Sequence, residues 1–287
     1  MHHFVPSSAT IFALASGCLS ANAWAALPSS PDSLLNAPGG ADVRLHAELG
    51  ALLPASHTLQ YGQEGTRFDL VHDGGQGTLF PFVRLSADLD SGPKTTWVLL
   101  VQPLDLRTQV ELHDPLVVDD HTIAAGTPLD IRYGFTFYRA SYLGDVLADP
   151  NRELAFGASL QLRNANIVYT SVDGTYRNSA RNIGPVPLAK VRLRQPLGEQ
   201  GWFGAEVDGV YAPIKYFNGS DNDVVGSLVD ASLRAGLELG RGTDAFLNVR
   251  YLGGGSSGTS QDPDPGSDGY VDNWLHFFSL SLGSTVR

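Results

Sequence analysis

Six stretches of this 287-residue chain alternate apolar and polar residues one by one, and in each the charges keep to a single side. Val229, Ala231, Leu233, Ala235, Leu237 and Leu239 oppose Asp230, Ser232, Arg234 and Glu238. Val43 to Leu53 does the same against Arg44, His46, Glu48 and Gly50. Leu154 to Leu162 opposes Ser159, Gln161 and Arg163, and Ala189, Val191 and Leu193 oppose Lys190, Arg192 and Arg194. Phe203, Ala205, Val207 and Tyr211 oppose Glu206 and Asp208, and Ala245 to Tyr251 opposes Asn248 and Arg250. Successive side chains of a β-strand point to opposite faces, so each stretch is a strand with one uncharged wall. Scattered surface charges would not sort so cleanly.

Three further segments are strand-like and less regular. Leu79–Asp90 sets Arg84 and Asp88 on the polar side, and Thr95–Leu112 is apolar on both faces through WVLLV. Thr127–Leu143 starts with Asp130 and Arg132 on the polar side, and a bulge near Phe137–Tyr138 is then needed to bring Arg139 to the same face. With a last strand over Asp272–Val286 the total is about ten, eight and twelve being the alternatives. Connections alternate in length. Asp90–Lys94, Gly144–Asn151, Gly198–Gly201 and Gly240–Thr243 are short; Pro54–Thr78, His113–Gly126, Asn164–Gly184, Ile214–Val225 and Gly254–Val271 are long and polar.

An all-β chain with this layout resembles a small outer-membrane β-barrel of a Gram-negative bacterium, closed, antiparallel and transmembrane. The resemblance spans residues 41–287 and is one of architecture; no signature motif of a characterised family is matched. It implies short periplasmic turns, long extracellular loops and both ends of the barrel on the periplasmic side. Such barrels often end on an aromatic residue, whereas this chain ends GSTVR, with Val286 as the penultimate apolar position.

Charged residues make up 17% of the chain, against ~25% for soluble domains, yet the mean hydropathy is only −0.06. After the N-terminus no apolar run approaches the ~18 residues of a membrane helix. A formal net charge of −11 argues against nucleic acid as a partner. Residues 1–25 read as a cleavable signal peptide, with an apolar stretch over Ile11–Leu19 and a small-x-small site ending at Ala25. Lipid attachment at Cys18, the only cysteine, ranks second. Residues 26–40 read as a flexible periplasmic lead-in, and 41–287 as the barrel.

The polarity of the two faces decides which is inside. Arg or Lys facing lipid at the bilayer midplane costs ~2–4 kcal/mol, so the uncharged wall faces lipid and the charges face the lumen. The expected lumen network is Arg44, Glu48, Arg84, Asp130, Arg132, Arg163, Lys190, Arg192, Arg194, Glu206, Asp208, Asp230, Arg234 and Arg250. A hairpin about Gly198–Gly201 places Lys190, Arg192 and Arg194 beside Glu206 and Asp208. Ten strands enclose a space that side chains can fill. Trp97 and Trp202, directly after short turns, and Tyr211, Tyr251 and Trp274, near the long loops, fit two interfacial aromatic girdles.

Candidate chemistry is sparse. VHDGG (His72, Asp73) and VVDDHT (Asp119, Asp120, His121) hold the residue types with which omptin-like surface proteases activate water, but not their spacing. His276 lies on the lipid-facing side as in lipid A deacylases, which carry a serine two positions on; here that position is Phe278. Asp262, Asp264 and Asp268, like the acidic run Asn218–Asp223, lack the spacing of a calcium loop. No catalytic residue, metal or cofactor is therefore predicted. The expected function is non-enzymatic: a monomeric, charge-filled bacterial outer-membrane barrel that binds through its extracellular loops or supports the envelope. A narrow channel for small hydrophilic solutes is the first alternative and a barrel hydrolase the second. Expected partners are outer-membrane lipid, lipopolysaccharide and the barrel-assembly machinery.

Overall fold

A computed structural model describes residues 42–147, 149, 151–213, 223–260 and 266–287, without the side chains of 163 and 181–183. The signal peptide, Cys18, the lead-in and the acidic positions 218–222, 262 and 264 lie outside the described residues, and so does the Arg163 side chain.

In chain order the strands are β1 (Asp42–Tyr61), β2 (Phe68–Asp69), β3 (Phe80–Gly92), β4 (Thr95–Gln102), β5 (Asp105–Glu111), β6 (Leu116–Val118), β7 (His121–Ile123), β8 (Pro128–Asp145), β9 (Glu153–Ser171), β10 (Arg177–Leu197), β11 (Gly201–Pro213), β12 (Asp223–Gly240), β13 (Thr243–Thr259) and β14 (Tyr270–Val286). All pairings are antiparallel, each long strand beside the next, and β14 pairs with β1 to close a barrel of ten staves. β4 and β5 share one stave, both pairing β8; β2 is a short addition to β1, and β6 and β7 form a separate hairpin. Closure leaves no open edge, which strands crossing hydrocarbon require.

The alternation read from the sequence sets inside from outside. Leu45, Leu49 and Leu53 of β1 are exposed on the outer wall, as are Phe156, Leu160 and Leu162 of β9, Leu233 and Leu237 of β12, and Phe278, Leu280 and Leu282 of β14. Together they form an uncharged apolar belt. Glu48, Arg84, Lys190, Asp208, Asp230 and Arg250 on the opposite faces are buried.

Three expectations need correction. The strands run further than expected: β1 continues to Tyr61, and β9 and β10 carry their ladder up to Thr170 opposite Arg177, so Asn164–Gly184 is a hairpin rather than a loop. β12 and β13 pair as far as Asp223 and Thr259 in the same way. These polar extensions stand above the belt, where outward side chains meet water and headgroups and need not be apolar. The second correction concerns β8, whose register against β9 runs unbroken from Leu129 to Asp145, with no bulge. Asp130 and Arg132 therefore share the outward parity of Tyr138, while Arg139 is inward without any adjustment. Third, Trp202 is only 6% exposed and points into the barrel, with the Arg194 guanidinium 4.2 Å from its ring centre; it belongs to no outer girdle. Trp97 is exposed on the outer wall, its ring 4.9 Å from that of Tyr142, and Tyr211 is 70% exposed.

Candidate functional site: an ionic layer below an apolar cluster

The ladder between β10 and β11 sets Lys190 opposite Asp208 and Arg192 opposite Glu206. Paired residues share a face, so these four groups enter the lumen side by side. Lys190 Nζ lies 2.8 Å from both Glu206 and Asp208. Asp208 also accepts from Arg139 Nη1 at 2.7 Å and from the Ser159 hydroxyl. Asp230 receives Arg250 through Nε and Nη2 at 2.5 and 2.6 Å, with Arg139 Nη2 at 2.9 Å and Arg84 Nη1 at 3.7 Å. Arg84 reaches Glu206 at 3.2 Å and Glu48 at 3.9 Å. Glu48 further meets Arg234 at 3.3 Å, Asn248 at 2.7 Å and Ser281 at 2.9 Å. Residues from β1, β3, β8, β10, β11, β12 and β13 thus meet in one ionic layer across the bore.

Arg192 departs from the simple hairpin pairing. Its guanidinium bonds Asp88 at 2.8 Å and Glu153 at 2.7 Å. Arg194 turns to the rim, meeting Asp244 at 3.1 Å and Glu238 at 3.3 Å. Arg44 also lies at the rim, 2.9 Å from Asp90 and 3.4 Å from Asp88. A cleft beside Arg44, Arg192 and Trp202 has a volume of about 50 Å³, room for a few waters.

Asp130 and Arg132, expected in this network, stand on the outer wall instead. Arg132 and Arg107 both bond Asp105, Arg132 Nε at 2.8 Å and Arg107 Nη2 at 2.9 Å, while Asp130 accepts from Gln109 at 2.8 Å. They lie above the belt, where an outward charge escapes the cost of facing acyl chains.

Their inward neighbours are apolar. Leu129, Ile131, Tyr133, Phe135 and Phe137 of β8 line the upper bore. They pack with Leu52 and Leu59 of β1, Leu104 and Leu106 about the start of β5, Ile167 and Tyr169 of β9, and Leu275 and Phe277 of β14. Two inserted segments complete this core. Phe68 and Leu70 come from the connection between β1 and β3, and Leu116, Val118 and Ile123 from the β6–β7 hairpin. The Val117 N–H donates to the Thr66 hydroxyl and the Thr66 N–H to the Val117 carbonyl, which ties the two together. The sequence reading missed this plug, because inserted segments lack the period of a stave.

One titratable group lies inside the plug. His57 follows a register shift between Pro54 and Ser56, above the last outward leucine of β1. It is wholly buried, with Nδ1 2.7 Å from Gln76 Oε1 and its ring 4.3 Å from that of Tyr133.

The other histidines weighed for chemistry form local, exposed pairs: His72 with Asp69 at 2.8 Å and His121 with Asp120 at 2.7 Å. His276, outward as expected, bonds the Tyr251 hydroxyl at 2.7 Å. Asp268 accepts from the Gln63 backbone. Among the described residues no three metal-binding side chains converge.

No protein-family model matches the chain, and no curated protein matches its sequence. Among solved structures it is similar to the outer membrane protease OmpT of Escherichia coli, at 12% identity and a TM-score of 0.46, over 90% of this chain and 99% of that one. It is also similar to a FadL homologue of Pseudomonas aeruginosa, at 9% identity and a TM-score of 0.36, over 86% and 89%. The toluene transporter TodX of Pseudomonas putida matches at 8% identity and a TM-score of 0.31, over 88% and 91%. All three are Gram-negative outer-membrane β-barrels, and the likeness extends to no individual side chain.

Proposed function

We propose that the protein is a non-enzymatic bacterial outer-membrane barrel that does not conduct, and that it acts through its outer wall and extracellular crown. The observation that carries this is the filling of the bore: an ionic layer at belt height and an apolar plug above it. Hydrated solutes would have to cross both. The plug also makes the crown rigid, since segments that would otherwise be free loops bury their leucines and phenylalanines in it. A rigid crown is suited to presenting a fixed surface or bracing the envelope. The exposed His–Asp pairs are compatible with ordinary surface ion pairs, and no nucleophile–base–orienter constellation is built around them.

Purified protein in planar bilayers tests the proposal. Little or no steady conductance is expected. Large, stable openings in the unaltered protein would replace this function with that of a channel. The protein should also require detergent for extraction and show a heat-modifiable gel shift; recovery as a detergent-free soluble monomer would overturn its membrane placement.

A further inference from the structure

The outer wall carries one feature that neither the lumen nor the plug accounts for. On the ladder between β5 and β8, Arg107 stands directly opposite Arg132. Like charges in that position repel and destabilise a sheet. A single carboxylate holds them: Asp105 accepts Nε and Nη2 of Arg107 at 3.1 and 2.9 Å and the same two atoms of Arg132 at 2.8 and 3.2 Å. Each guanidinium is thereby fixed by one edge, and its Nη1 is left for another acceptor. Arg177, exposed and opposite Thr170 on the β9–β10 ladder, adds a third cation without a carboxylate partner among the described residues. These groups line a shallow cleft of about 490 Å³ with Thr108, Ile131 and Val168. Counting Asp105 and Asp130, three cations face two carboxylates, and Asp130 is engaged by Gln109.

We propose that this cleft binds a phosphorylated core sugar of an outer-leaflet glycolipid. Pre-oriented guanidinium edges match phosphate oxygens. An anion seated between Arg107, Arg132 and Arg177 would relieve the repulsion that Asp105 only partly offsets. Height selects the part of the glycolipid. Tyr138 is the last large apolar residue exposed on the outer side of β8, and Arg132 lies six residues beyond it. On a strand tilted by ~40° that is about 15 Å above the acyl boundary, the level of core sugars rather than of the acylated disaccharide. The assignment rests on the outer-membrane placement proposed above.

Calorimetric titration of the full chain in zwitterionic detergent tests it, with four probes. These are lipopolysaccharide bearing a phosphorylated core, the same material with the core dephosphorylated, bisphosphorylated lipid A, and inorganic phosphate. Binding is expected for the first, weakened by salt and reduced about tenfold or more by Arg107→Gln combined with Arg132→Gln. Arg177→Gln should give a smaller loss, and Arg152→Gln, at the opposite rim, none. A retained heat-modifiable shift shows that the variants are folded. Unchanged affinity in the folded double variant overturns the site while leaving the outer-membrane placement intact. Equal, arginine-dependent binding of lipid A overturns the core-sugar assignment in favour of the lipid A phosphates, and equal binding of inorganic phosphate overturns the glycolipid. Loss of all binding together with detergent-free solubility would remove the membrane placement as well.

Discussion

Replacing Asp230 by alanine would strike the ionic layer at the carboxylate that meets three guanidiniums. Asp230 is 3% exposed and accepts Nε and Nη2 of Arg250 as well as Arg139, with Arg84 within reach. Its removal leaves three buried guanidiniums short of a counter-charge. Arg139 retains Asp208 and Arg84 retains Glu206, but Arg250 keeps only Gln102, at 2.6 Å. Breaking a buried pair in this way costs about 3–5 kcal/mol. Arg250→Ala should cost less, since Asp230 then still has Arg139 and Arg84. The double replacement should fall short of the summed single costs by about 1–3 kcal/mol, because the lost pair is counted once. Replacing both by apolar residues of similar volume could restore much of the loss, since two charges then no longer need to be kept out of water. Urea unfolding of the barrel in lipid, followed by tryptophan fluorescence and the heat-modifiable shift, measures all four corners of the cycle. A change below about 0.5 kcal/mol for Asp230→Ala would mean that water reaches this layer and that the lumen is not filled. Strict additivity would leave the barrel in place and remove the Asp230–Arg250 coupling from it.

Leu233 is 55% exposed within the belt, so Leu233→Arg should cost ~2–4 kcal/mol, whereas Leu239→Arg, near the periplasmic edge, should cost ~0–1 kcal/mol; equal effects in an assembly assay would reject the assigned belt. Gly236 faces Trp202 across the β11–β12 ladder, and an added Cβ would come within 2.4 Å of the indole. Gly236→Ala should therefore destabilise by about 1–3 kcal/mol, and Gly236→Ala with Trp202→Leu should recover part of it; no recovery in the same unfolding assay would mean that another contact is responsible. His57 is wholly buried with Nδ1 2.7 Å from Gln76 Oε1, so Gln76→Ala should cost about 1–3 kcal/mol, read as faster hydrogen exchange in residues 57–76; unchanged exchange would show that this bond does not hold the plug.

Six regular staves were legible because hydrocarbon imposes a rule that acts residue by residue. Wherever the wall meets acyl chains a charge is expelled, so the faces of Val229–Leu239 or Ala189–Arg194 can be read without knowing their neighbours. The Lys190–Asp208 juxtaposition was legible for a similar reason, since a short turn between consecutive strands limits the register. Where Arg192 sends its charge was not: Glu153 stands diagonally on the adjacent β9, while Asp88 comes from β3, far away in the chain, and only closure of the barrel brings it within 3 Å. The same holds for Asp230, Arg139 and Arg84.

Above the belt the rule itself changes. Outward side chains there meet water, so charge ceases to mark the inner face, and Asp130 and Arg132 were read as lumenal although the unbroken parity of β8 turns them out. The apolar residues between them, Leu129, Ile131 and Tyr133, fill the mouth instead. The plug follows no period at all, because Leu70, Leu116 and Ile123 are held there by each other and by the staves around them. Sequence alone determined the uncharged wall, since its alternation can be read one residue at a time. Which charges pair, and which apolar residues gather above them, were decided only when all ten staves enclosed a common space.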